Sequence, residues 1–214
     1  MILTILNDKS LKMSEIQTIN QLEALYPNPS PRAQNKVLPA LDRHAKTMVN
    51  HTHFVILSTC DALGFTDVSP RGGAPGFIKV VDDSTILIPD SSGNNRLDSL
   101  RNIISNPKVG LLIMVSGIDE VIRIKGRASI HTDSELLAAC PDGKKSPKVV
   151  LKITIENLYF HCAKAIMRGK VWSGEYKVER SILPSLGQIL KEQQNLDCND
   201  IDQKEMVQYY KSTL

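Results

Sequence analysis

Aromatic residues are scarce in this chain, at 5% of 214 residues with a single tryptophan. No basic stretch combines arginines with aromatics, so the stacking platforms of a nucleic-acid binder are missing. Charge of one sign is missing too. The net +3 is the small remainder of 26 basic and 23 acidic side chains, which excludes a general polyanion binder. Cys60, Cys140, Cys162 and Cys198 include no close pair of the kind that zinc sites and redox dithiols use, and they read as free thiols. The longest apolar run, Gly110 to Val115, is far too short to cross a membrane. Met1 to Leu6 is broken at once by Asn7, Asp8 and Lys9, so no signal segment is expected and the expected compartment is the cytoplasm.

What remains fits one domain with terminal additions. Ser14-Glu15-Ile16-Gln17 reads as a capping box opening a helix through Leu25, which Pro27, Pro29 and Pro31 end. Val37, Leu38, Leu41, Ala45 and Met48 predict a second amphipathic helix. From Phe54 the period becomes that of strands. Phe54 to Thr59 and Phe65 to Ser69 form one predicted hairpin, and Phe77 to Val81 with Thr85 to Pro89 a second. Arg96 to Ser105 is the one good helix inside the region. Val109 to Val115 and Val121 to Ile130 make a third hairpin, and Val149 to Leu158 is a strand with one wet face. Six or seven antiparallel strands and one inserted helix predict a mainly β, α+β fold whose sheet closes on itself to remove its edges. After Trp172 a polar arm ends in a helix with Ile182, Leu183, Leu186, Ile189 and Leu190 as an apolar stripe, which a second subunit would cover.

Three stretches carry candidate chemistry. In the first, Ile88-Pro89-Asp90-Ser91-Ser92-Gly93-Asn94-Asn95-Arg96-Leu97-Asp98-Ser99 runs from a buried strand through a polar loop into a helix start. Free amides, the helix dipole and Arg96 suit a phosphate, while a plain N-cap loop with a solvent arginine explains the residues equally well. In the second, Ser69-Pro70-Arg71-Gly72-Gly73 ends a strand. Arg71 is either a second ligand contact or, preferred in isolation, the ion-pair partner of Asp67 or Asp90. In the third, Cys162 to Trp172 is cationic and ends in the lone tryptophan, which is either core or a wall for a flat ring. His51 and His53 would share a strand face, yet no carboxylate or thiol joins them at ligand spacing, and no metal site is expected. No spacing supports a Ser-His-Asp arrangement.

These segments, with Asn106-Pro107-Lys108-Val109-Gly110-Leu111-Leu112 and Cys162-Ala163-Lys164-Ala165-Ile166-Met167-Arg168, resemble the pyridoxamine phosphate oxidase-like family of FMN-binding split barrels from about Leu22 to Trp172. The resemblance implies a homodimer of six-stranded antiparallel split β-barrels with FMN at the subunit interface. It implies Arg96 and Ser99 at the phosphate, with Asn95 in the same loop. It implies Ser69, Pro70, Arg71, Ile88 and Pro89 along the flavin, Val115 and Ser116 as further contacts, and Lys170 and Trp172 from the second subunit. The segmentation expected is residues 1–50 helical, 51–172 the FMN-binding barrel and 173–214 an arm.

Two departures separate the chain from the vitamin B6 oxidase itself. Ser99 stands where split barrels often carry a phosphate-binding lysine, and no arginine and histidine motif occurs in Glu175 to Leu214. The reading is therefore an FMN-dependent oxidoreductase acting on an unknown small molecule at flavin N5, with a flavin carrier or redox sensor as the alternative. A haem-handling split barrel with His161 as ligand ranks third.

Overall fold

The structure, a computed structural model, describes residues 15–91, 93–141, 146–195 and 202–213. Ser14, Ser92 and Cys198 lie outside them. The chain divides into two compact units, Met1–Lys36 and Val37–Leu214.

In the first unit, the helix Ile19–Glu23 starts four residues later than the capping box read from Ser14. Thr18 caps it, accepting from the Gln21 amide, and Gln21 reaches back to the Thr18 amide. Ser30 caps a second short helix, Pro31–Gln34, whose first residue is a proline that needs no donor there. Neither helix buries a side chain.

The second unit is built on seven antiparallel strands: β1 Phe54–Cys60, β2 Thr66–Gly72, β3 Lys79–Val80, β4 Thr85–Pro89, β5 Lys108–Met114, β6 Val121–His131 and β7 Val150–His161. Their order is β2-β1-β5-β6-β7-β4-β3. This corrects the expected six-stranded closed barrel, because no ladder joins β2 to β3 among the described residues. The reason lies in both edges. Pro70 cannot donate to a ladder, which confines β2 to an edge, and the glycine and proline before Phe77 leave β3 with two residues. Charged and proline-bearing edges need no closure to avoid mispairing.

Alternation on β1, β5 and β6 sends Val55, Leu57, Val109, Leu111, Ile113, Ile122 and Ile124 to one face. There they meet Ile86 and Ile88 of β4 and Leu151, Ile153 and Ile155 of β7. Each such side chain contributes about 1.5–3 kcal/mol through burial. Two helices join this core. The helix Arg43–His51 brings Ala45, Met48 and Val49, and the helix Asp98–Ser105 brings Ile103. The first is shorter than the periodicity predicts: Pro39 interrupts it and Asp42 caps it at the Ala45 amide. Val37 to Leu41 is instead non-helical, and Leu38 bridges Leu158 of β7.

β4 is buried on both faces, since its Leu87 joins Val150 and Cys140 under the short helix Ser134–Ala139, which the sequence pattern does not announce. Between β6 and β7 the register shifts at Lys125/Gly126. A Cβ on Gly126 would lie 2.4 Å from the Thr154 carbonyl oxygen, so the close strand approach there requires glycine. Beyond β7 come the helix Lys164–Arg168, a single turn Arg180–Ile182 and the helices Leu186–Gln194 and Gln203–Thr213. Ile182 and Leu183 of the expected stripe precede the helix and are exposed. None of the described helices is long and apolar enough to cross a membrane.

Candidate functional site

The chain leaves β4 at Asp90, whose amide donates to the Val149 carbonyl. It then turns sharply before the helix. Asn95 and Leu97 both have positive φ, at 59° and 62°. Asparagine tolerates that region, whereas a leucine Cβ pays about 1–2 kcal/mol to enter it. The Arg96 amide between them donates to Asn94 Oδ1. The turn delivers the chain into Asp98–Ser105 with Leu97 at the N-cap, whose side chain cannot cap the first helical amides. Open amides at the positive end of a helix dipole are an anion site in waiting.

β2 supplies the opposite wall. Asp67, Ser69 and Arg71 alternate along it and share a face. Ser99, buried at the start of the helix, donates to Asp67 Oδ2 at 3.2 Å, and its hydroxyl lies 3.0 Å from that of Ser69. Arg71 Nη1 donates to Asp90 Oδ1 at 2.6 Å, both side chains being largely buried. This is the ion pair foreseen as one of two readings for Arg71. Its Nε, with His161 Nδ1, is a buried side-chain atom that lacks a hydrogen-bond partner among the described residues. Arg96 is 74% exposed and bonded through Nε to Asp98 at 2.8 Å. That hydrogen bond and the charge of Asp98 raise the arginine's pKa further above its ordinary value.

Together these groups line a cleft of about 760 Å³, with Ser146 to Val149 completing it. Asp67, Asp90 and Asp98 balance Arg71, Arg96 and Lys148. Of the residues foreseen as cofactor contacts, Ser69, Pro70, Arg71, Asn95, Arg96 and Ser99 meet here. Ile88 is fully buried and Pro89 nearly so, which leaves their backbone for any ligand contact.

Ser116, Lys170 and Trp172 lie instead in a second cleft of about 750 Å³ with Gly169, Tyr176 and Lys177. Trp172 Nε1 donates to the Ile118 carbonyl at 3.0 Å. Lys170 pairs with Glu175 and sits 5.2 Å from the centre of the Tyr176 ring. Val115 is half-buried against the core. His53 bonds to Ser116 and His51 to the Thr47 carbonyl, so the two histidines go to different partners.

The three carboxylates of the first cleft escape the sequence reading as site residues, although Asp67 had a signal, the two-residue spacing that aligns it with Ser69 and Arg71. Lys148 and its neighbours had none, because they reach the cleft only through the fold.

One family model and several solved structures match parts of this chain. Among solved structures, HupZ of Group A Streptococcus is 21% identical over 56% of this chain and 93% of its own, with a TM-score of 0.46. An FMN-binding protein from Syntrophomonas wolfei is 14% identical over 55% of this chain and 88% of its own, with a TM-score of 0.41. HutZ, the heme storage protein from Vibrio cholerae, is 15% identical over 56% and 93%, with a TM-score of 0.42. The comparison with curated proteins finds no match. A family model described as Pyridoxamine 5'-phosphate oxidase matches residues 41–162, from the end of the Leu38 bridge through the last strand, which is more than half of the chain. On that match the chain belongs to the pyridoxamine 5'-phosphate oxidase family.

Proposed function

We propose that the chain binds FMN in the cleft between β2 and the Asp98–Ser105 helix, as a cytoplasmic homodimer in which Lys170 and Trp172 of the second copy complete the site. The observation that carries this reading is the meeting, in one cleft, of an uncapped helix start, two hydroxyls and two guanidiniums. A phosphate monoester accepts from all three kinds of donor, and the unpartnered Nε of Arg71 offers one more. Asp67 and Asp98 now hold Ser99 and Arg96, so a bound phosphate takes these donors in their place.

When bound, FMN supplies hydride or electron transfer at N5. The chain's part is to bind the phosphate, hold the ring against β2 and β4, and exclude water. We assign it an oxidoreductase role on a small molecule, without vitamin B6 oxidation. In this structure Asp67, Asp90 and Asp98 each accept from a neighbour, and we assign none of them as a general acid or base. That observation keeps the flavin carrier or redox sensor as the second reading. The haem reading ranks lower, because His161 lines neither cleft.

The absorbance spectrum of freshly purified protein tests the proposal. Flavin bands support it, a Soret band supports the haem reading, and a spectrum without either after incubation with FMN overturns it. Turnover of the reduced holoprotein with candidate oxidants no faster than free FMN supports the carrier.

A further inference from the structure

Outside the residues that line either cleft, three polar side chains at the end of β6 form a connected chain. Ser129 Oγ and His131 Nε2 are 2.8 Å apart, and His131 Nδ1 lies 3.2 Å from Asp133 Oδ2. Strand alternation explains the first contact, because residues two apart share a face. The second has another origin. Asp133 is the N-cap of Ser134–Ala139, where an aspartate ordinarily accepts a first-turn amide, yet its side chain makes no cap bond and turns to the imidazole. An ionised carboxylate only accepts, so Nδ1 carries the proton and the Nε2 lone pair faces the Ser129 hydroxyl. That is the tautomer in which imidazole draws a proton from serine.

The surroundings suit an acyl group. Register places Lys152 opposite Ser129 and Val150 opposite His131, so these four side chains share one face. Lys152 is the exposed cross-strand neighbour of Ser129 and brings a cation to this face. Val150, opposite His131, is buried with Leu87 in an apolar cluster whose partly exposed members are Leu136 and Leu137. Ser129 is exposed and the His131 side chain is 29% exposed, so both are open to a ligand.

We propose that Ser129, His131 and Asp133 form a second, hydrolytic site that cleaves short-chain carboxylic esters, with Lys152 facing the developing oxyanion. Ser129 Oγ bonds to the carbonyl carbon while its proton passes to His131 Nε2. The bond from carbon to the alcohol oxygen breaks, and that proton leaves with the alcohol. Water then attacks the acyl carbon and gives a proton to Nε2. The Ser129 ester bond breaks, Oγ recovers the proton and the carboxylic acid departs. Ester and water become acid and alcohol with no change of oxidation state.

The test treats the full chain with an alkyl fluorophosphonate, which phosphonylates activated serines with loss of fluoride, and separately with p-nitrophenyl acetate. One phosphonyl adduct mapped by mass spectrometry to Ser129 is expected. Ester cleavage should fall about a hundredfold or more in Ser129→Ala and in His131→Gln, with thermal unfolding and FMN retention unchanged. No adduct, an adduct elsewhere, or cleavage that survives in Ser129→Ala overturns the proposal. Adduct mapping uses the unaltered chain and so decides even where a variant fails to fold.

Discussion

Arg71 and Asp90 are held 2.6 Å apart although they belong to opposite ends of the sheet. Arg71 lies on the outermost strand β2, while Asp90 follows β4, next to last at the other end, and the two strands share no ladder. The ion pair therefore ties together an opening that backbone hydrogen bonds leave unjoined. With both side chains about four-fifths buried, deleting one strands the other.

Arg71→Ala should lower stability by about 1.5–3 kcal/mol, the scale of a hydrogen bond to a charged group, in urea unfolding. A double-mutant cycle with Asp90→Ala should show coupling of about 1 kcal/mol or more. Additive losses would mean that the pair does not tie the two ends.

Arg96 is exposed and, among the described residues, bonds to neighbours in its own loop and helix start, so its removal should leave unfolding unchanged. Arg96→Ala should nevertheless weaken FMN retention about ten- to a hundredfold, read by flavin fluorescence on dialysis. Unaltered retention would dissociate Arg96 from the phosphate.

Leu97 pays for a left-handed conformation at a half-exposed position. Leu97→Gly should raise stability by up to about 1 kcal/mol after the entropy of the unfolded glycine is counted. A β-branched residue tolerates that region worse still, so Leu97→Val should lose about 1 kcal/mol or more. Equal denaturation midpoints for all three chains would show that the loop carries no strain.

Gly126→Ala places a methyl 2.4 Å from the Thr154 carbonyl oxygen, where backbone must move. A loss of about 1–3 kcal/mol is expected in thermal unfolding, and more for valine.

Burial raises the pKa of the Cys140 thiol, with Lys79 pulling weakly the other way. The neutral thiol is the form the fold accepts, so its contribution is complete below the ordinary thiol range and is lost as pH rises through the raised value. Iodoacetamide mapped by mass spectrometry should label exposed Cys162 in the native chain and Cys140 only on unfolding. Native labelling of both at equal rates would contradict this burial.

The hairpins were legible because each rests on local signals. Alternating Val55, Leu57, Val109, Leu111 and Ile113 set the faces, and turn residues at Asp61 to Gly64 and Ser116 to Asp119 set the ends. Closure was not legible, since it depends on how two distant edges meet, and the weight of Pro70 is visible only once β2 has a place. The phosphate-type loop was likewise read from composition, and the pairing of Arg71 with Asp90 was one of two readings, but not the commitment of Ser99 to Asp67 and of Arg96 to Asp98. The Ser129, His131 and Asp133 chain escaped for a related reason. Strand spacing aligns the first two, but the third arrives because a helix cap turns away from its helix.

The register shift opposite Gly126 leaves one residue of β7, Glu156, without a counterpart on β6. Before it, Leu151, Ile153 and Ile155 face the core; beyond it, Leu158 does, an odd-numbered series giving way to an even one. The same point marks a change of neighbours: β7 pairs with β4 as far as Thr154 and with the Leu38 segment at Leu158. The single unmatched residue thus acts as a phase shifter. It lets one continuous strand serve two partners whose apolar residues are out of step.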